Sequence, residues 1–196
     1  MQIGWHFTGK KLRDGQPIPK VGKWLEHKGE VKICESGLHF SRMPWDALQY
    51  APWNIIHLVE VEDIVDKHED KGVARKRRIL CSMDAEEPLR YFARMQALSV
   101  VHLWDAPEVV LDYLITGGDE IRKAAEDAAW DAWAAARAAA WDAAMDAWAA
   151  AWDAAMDAAM DAAWAAAWDA ARKDFNALIY ECFEGPLEEV KEMVGE

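Results

Sequence analysis

DEIRKAAEDAAWDAWAAARAAAWDAAMDAWAAAWDAAMDAAMDAAWAAAWDAAR, residues 119–172, decides half of the architecture. Nearly every position between its large side chains is Ala, the best helix former, and neither Gly nor Pro interrupts it. The large residues are Trp130, Trp133, Arg137, Trp141, Met145, Trp148, Trp152, Met156, Met160, Trp164 and Trp168, spaced 3, 4, 4, 4, 3, 4, 4, 4, 4, 4. Each step of four advances a stripe by ~40° and each step of three returns it by ~60°, at ~100° per residue. The first half therefore stays near one face, whereas the closing run of fours drifts by ~200° around the helix. As one helix the segment would be ~80 Å long at 1.5 Å per residue. Two arrangements fit: a long helix within an oligomer, or shorter helices folded back as a bundle.

Asp directly follows seven of the large residues: Asp131, Asp142, Asp146, Asp153, Asp157, Asp161 and Asp169. Asp disfavours helix interiors, so helix propensity does not explain the row. A solvated face that keeps an Ala/Trp helix soluble is the simplest account. A surface that binds a basic groove, as a nucleic-acid mimic would, is the sharper one. Under it the binding residues are Asp142, Asp146, Asp153, Asp157 and Asp161 with Trp148 and Trp152. Metal binding along the row is not expected, because one helix face supplies too few converging oxygens.

Outward from the repeat, Gly117–Gly118 end a preceding helix that Asp105 should cap, with Pro107 near its first turn. An earlier helix runs from Asp84, whose side chain can cap it, to about Trp104. Gly185–Pro186 separate a last short helix. Residues 1–83 read differently. Ile3–Thr8, Ile55–Glu62 and Val73–Ser82 are strand-like, Gly37–Ser41 is a short strand or turn, and Trp45–Ala51 is a short helix stopped by Pro52. The expected fold class is α+β: a small mixed α/β domain over 1–83, then a mainly helical domain over 84–196 that contains the repeat.

The 196 residues carry 35 acidic and 22 basic side chains, a net charge of −13. This charge repels nucleic acid and anionic membranes and favours basic partners, so neither direct nucleic-acid binding nor membrane association is expected. No segment offers the ~20 apolar residues of a membrane span, and MQIGWHFTGKKLRDG lacks the apolar core of a secretory signal. Three cysteines without a CxxC pair argue against a disulfide framework or zinc ribbon, and a reducing cytoplasm is the expected location.

Most chemical motifs fail. Gly4–Lys10 matches GxxxxGK, but Lys11 stands where Ser or Thr should hold magnesium, and Trp5, His6 and Phe7 cannot cradle phosphates. The histidines show no ligand spacing, so no metal site is expected. Six bases (Lys67, Lys71, Arg75, Lys76, Arg77, Arg78) cluster in 67–78. They form either an exposed hairpin face, able to dock on the chain's own Asp row, or a phosphate or nucleotide site.

CESGLHFS (34–41), DALQYAPW (46–53), VEVEDIV (59–65) and DKGVARKRRIL (70–80) resemble a family of uncharacterised bacteriophage and prophage proteins with a CExGLHxS…DALxYAPG…DKxVAxRR pattern. FARMQALSVVHLWDAP (92–107) and the Ala/Trp/Asp tail extend the likeness, while Trp53 replaces the pattern's Gly. The resemblance implies a phage accessory origin and transfers no functional residue. GLHFSRMPWDALQYA (37–51) is also similar to the strand-plus-helix signature of ADP-ribosyltransferases. That likeness implies NAD as cofactor, His6 on the ribose, Tyr50 stacking on nicotinamide, His39 at the signature Tyr position and Glu60 as the catalytic acid. The leading expectation is a non-enzymatic phage accessory protein without a cofactor, which self-associates or binds a host protein with a basic surface, such as a defence protein. The alternatives are an NAD-dependent ADP-ribosyltransferase-like enzyme in 1–83, and a purely structural oligomer.

Overall fold

The computed structural model describes residues 2–12, 14–147 and 155–194; within 136–147, 155–165 and 193–194 it describes the backbone alone. The fold is α+β, and the chain divides into two compact units: Met1–Leu89 with Arg172–Glu196, and Arg90–Ala171. Composition shifts near residue 83, but packing returns the last residues to the sheet.

The first unit is built on β1 (Gln2–Thr8), β2 (Trp24–Glu26), β3 (Leu38–Phe40), β4 (Ile55–Lys67) and β5 (Gly72–Asp84), with α1 (Pro44–Leu48) after β3. All pairings are antiparallel: β1 with β4, β4 with β5, and both β2 and β3 on the other side of β5. Beyond β3 the chain reaches β1, where Trp5 N donates to Ser41 O (2.8 Å) and Ser41 N to Trp5 O (2.9 Å). The strands thus form a hydrogen-bonded ring, β1–β4–β5–β3–β1, around Phe40, Val59, Val61, Ala74 and Ile79. Two glycines let Phe40 into it. A Cβ at Gly72 would lie 2.6 Å from Phe40 Cζ, and one at Gly4 would lie 2.8 Å from Phe40 Cδ2.

Strand alternation sorts the two faces. Trp5 opposes Leu58 and Phe7 opposes Ile56 on one face; Gly4 opposes Val59 and His6 opposes His57 on the other. The first face is apolar and the chain's end covers it. Helix α5 (Ala155–Cys182) and α6 (Glu184–Val194) carry buried Phe175, Ile179, Phe183 and Val190. Trp5 meets Tyr180 and Phe183 edge-on at 5.6 and 5.0 Å, and Trp45 meets Phe175 at 5.5 Å. Two polar links fix this return: Asn176 Oδ1 accepts the Trp45 amide at 2.8 Å, and Arg172 pairs with buried Asp46 at 3.0 Å.

The second unit contains most of α2 (Glu86–Ser99), a 3-10 turn (Val101–Leu103), α3 (Glu108–Thr116), α4 (Asp119–Ala147) and the first part of α5. Asp84 Oδ1 accepts the Glu86 amide at 3.0 Å, so this acid helps open α2. Asp105 does not cap α3: Pro107 holds the N-cap position, its carbonyl accepts the Val110 amide at 2.9 Å, and no side chain caps the helix. Its end is as expected, with Gly117 left-handed at φ 72°. Val110 and Leu114 pack on Ala125, the core of this unit. The repeat is helical over Asp119–Ala147 and again from Ala155. Residues 148–154, where the choice between one helix and a folded-back pair would be decided, lie outside the described residues. Among the described residues no helix is long and apolar enough to cross a membrane.

Candidate functional site

Two surfaces carry chemistry. The first is the described part of the repeat. Trp130, Trp133 and Trp168 are 66, 50 and 53 % exposed, although helical Trp normally seeks a core. Trp130 and Trp133, three residues apart, lie on neighbouring positions of α4 with ring centroids 5.0 Å apart. Asp131 and Asp169 beside them are exposed. Nearer the start of α4, Arg122–Glu126 (3.5 Å) and Lys123–Asp127 are i,i+4 pairs on its surface. They neutralise two acids there, and beyond the Trp130–Trp133 pair Arg137 follows Trp133 by four residues. Asp142, Asp146, Asp157 and Asp161 lie on helical backbone, their side chains outside the described residues. Trp148, Trp152 and Asp153 lie wholly outside them.

The second is the inner side of the strand ring, where polar residues stand beside Val59 and Val61. His57 is 1 % exposed and doubly bonded: Nε2 lies 2.8 Å from Thr8 Oγ1 and Nδ1 lies 2.7 Å from Ser82 Oγ. Thr8 gives its one hydroxyl proton to Gly9 O (3.0 Å), so it accepts from Nε2–H, and Ser82 donates to Nδ1. This neutral tautomer is fully satisfied, and burial, with nearby Arg77, lowers the pKa from 6.5 to about 4. Opposite it, His6 is held well below 6.5, first by desolvation, then by the positive potential of Arg77, His57 and His39. Arg77 is buried and gives a hydrogen bond to the His39 carbonyl. Desolvation lowers its pKa to about 10, which leaves it charged at neutral pH.

The residues of the NAD-type reading fall into separate settings. His39 Nε2 accepts the Cys34 amide at 2.9 Å. Tyr50 is exposed and gives its hydroxyl proton to Asp70, with Lys71 Nζ 4.4 Å from its ring centroid. Glu60 is buried in a cross-strand pair with Arg78, at 2.6 Å to Nε and 2.5 Å to the terminal nitrogen. Glu60 stands three residues from His57 on β4, so alternation puts it on the face opposite His6. It also pairs five β5 positions from the partner of His39, about 16 Å of strand. His6 and His39 share an electrostatic neighbourhood; Tyr50 and Glu60 have their own partners.

The six bases of 67–78 each find a partner in their own unit. Lys67 bonds Gln2 (2.5 Å), Lys71 bonds Tyr50 (3.1 Å) and Arg75 bonds the Gly29 carbonyl (3.0 Å). Lys76 pairs with Asp63 at 3.5 Å, and Arg77 and Arg78 are engaged as described. The burial of Arg77 was not legible in the run, because the run reads as uniformly solvated. Its alternation with Arg78 along a strand is the signal that separates an inward base from an outward one. Among the described residues no group of His, Cys, Asp and Glu could hold a metal ion.

Residues 3–90 match the model of a domain of unknown function (DUF7666). The matched segment spans β1 to the start of α2, and includes His6, His39, Tyr50, Glu60 and Arg77 but none of the repeat. No curated protein and no solved structure matches the chain.

Proposed function

We propose that the chain is a phage accessory protein of the bacterial cytoplasm that binds a host protein through the acidic, Trp-bearing face of its helical repeat. The observation that carries this reading is the exposure of Trp130, Trp133 and Trp168. A Trp with half or more of its surface exposed is a costly surface residue, and Trp is among the strongest anchor types at protein interfaces. The acids say what the partner is like. Residues 119–173 hold 11 acids and 5 bases, so a like-charged second copy is repelled and a basic groove is drawn in. Inhibition of a host defence protein is the role this chemistry suits, since such proteins commonly present basic nucleic-acid-binding grooves to an acidic mimic.

The test is affinity capture from nuclease-treated bacterial lysate, comparing the intact protein with two variants. Asp142, Asp146, Asp153 and Asp157 all changed to Asn remove the charge; Trp130→Ala with Trp133→Ala removes the anchors. The reading expects one stoichiometric host protein with a basic surface, lost in both variants while their circular dichroism is unchanged. Capture at full strength by both variants, or recovery of the protein alone, would sink it.

A further inference from the structure

We propose that Arg77 and His6 form a binding site for an oxyanion of the phosphate type on the inner side of the strand ring, independent of the helical surface. Arg77 is only 6 % exposed, yet it lacks what a buried guanidinium ordinarily has. Its neighbours Lys76 and Arg78 pair with Asp63 and Glu60 at 3.5 and 2.5 Å. Arg77, among the described residues, meets no carboxylate; its one protein acceptor is the His39 carbonyl. Guanidinium cannot shed its proton to escape burial, and the Arg77 nitrogens that bond no protein group keep contact with solvent, since among the described residues no Arg77 nitrogen is both fully buried and unbonded. Those nitrogens are open to something absent from the chain.

Strand register turns the same face toward His6. Glu60 opposes Arg78 on the covered side, so Arg77, opposite Val61, shares the side of His57 and His6. The His6 ring hydrogen-bonds no protein group among the described residues, and every titratable group that acts on it is a base: Arg77, His57 and His39. In a chain of net charge −13 this is a neighbourhood in which no acid acts on His6. His6 is partly exposed, which opens the site to solvent. His57 is saturated by Thr8 and Ser82 and stands behind as a neutral wall.

The donor set selects the ligand. A guanidinium with one donor spent on a carbonyl keeps four N–H groups in a planar fork, and an imidazole adds another from a second strand. A tetrahedral oxyanion with several acceptor oxygens uses such a convergence better than a single carboxylate does. Its charge would offset Arg77 and favour protonation of His6, whose ring would then gain a partner.

The experiment is a titration of the intact protein followed by imidazole NMR, with inorganic phosphate and, separately, ribose 5-phosphate at matched ionic strength. Either should raise the His6 midpoint saturably while that of His57 moves less. Saturation by both points to a free or terminal phosphate, and saturation by the sugar phosphate alone points to an ester; each supports the site. Arg77→Lys, which keeps the charge and loses the fork, should weaken binding by roughly tenfold or more. Should that variant fail to fold, His6→Gln, read by calorimetry, should retain weakened phosphate binding whose pH dependence is that of the phosphate's own second ionisation alone. An equal shift produced by chloride, an adventitious ion effect only, or no shift at saturating phosphate, would overturn the proposal.

Discussion

Replacing His57 by Gln should flatten the acid sensitivity of the sheet unit. The folded protein holds His57 neutral between Thr8 and Ser82 with a pKa of about 4, against 6.5 when free. Between those values the unfolded chain binds the proton and the folded chain does not, so stability is complete above pH 6.5 and falls as the pH drops toward 4. The difference, 6.5 − 4, at 1.36 kcal/mol per unit, makes the full penalty about 3 kcal/mol, of which about 2 kcal/mol is lost by pH 5. Near pH 5 the slope contributed by this one residue is about 1.2 kcal/mol per pH unit. Gln offers a donor and an acceptor to the same two hydroxyls and does not titrate in this range. Native-state hydrogen exchange of β4 amides reads the sheet unit by itself. At pH 7 the variant should be less stable than the parent by about 1 kcal/mol from imperfect geometry. The two should converge or cross by pH 5. A variant whose stability falls with pH as steeply as the parent's would refute the assignment of the proton to His57; the remaining slope in the variant is shared by His6 and the shifted carboxyls of Asp46 and Asp70.

Gly72→Val should cost more than about 3 kcal/mol, because its side chain would enter the Phe40 ring that plugs the strand ring; thermal melts of Gly72→Val and of Gly72→Val with Phe40→Leu should show partial rescue in the pair. Arg172→Met should cost about 2 kcal/mol by leaving Asp46 buried without its cation, and adding Asp46→Asn should recover most of it, as a double-mutant cycle in urea would reveal. Asn176→Leu removes the acceptor of the Trp45 amide and should lower stability by about 1–2 kcal/mol, read in the same assay. A fragment of residues 3–90 alone should bind a hydrophobic dye and exchange its β4 amides freely, because Trp5, Phe7, Ile56 and Leu58 lose their cover; a fragment as protected as the intact chain would contradict the packing described.

What the sequence made legible follows the strength of local signals. The helices of 84–147 and the stop at Gly117 stood out because composition and a left-handed cap act within a few residues. The long β4 and β5 were read short at their far ends. Glu62–Lys67 sets Ile64 and Val65 among four charged residues, and a left-handed Asp63 at φ 52° and a register shift between Ile64 and Asp66 break the alternation that would mark a strand. Strand β2 was missed because three residues hold no pattern; its pairing with Lys76–Arg78 creates it. The return of 172–196 to the sheet had a signal that went unread: Phe175, Ile179 and Phe183 recur every four residues on one helical stripe, outside the Trp/Met register. For the sites, residue types were visible and faces were not. That Glu60 and His6 lie on opposite sides, and that Arg77 alone of six bases is buried without a carboxylate, are consequences of register.

Because the sheet unit is assembled from residues 1–89 and 172–196, the repeat is an insertion within it. A ribosome must read through every Ala, Trp and Asp of the repeat before it makes Phe175, Ile179 and Phe183, each of which stabilises the cover over Trp5 by roughly 2 kcal/mol. A slip or frameshift in that monotonous stretch scrambles the very residues that complete the first domain. The product would then present a bare hydrophobic sheet to cellular proteases. Gain or loss of repeat steps in frame spares those residues. The topology thus makes completion of the first unit depend on an unbroken reading frame through the repeat, and not on the repeat's length.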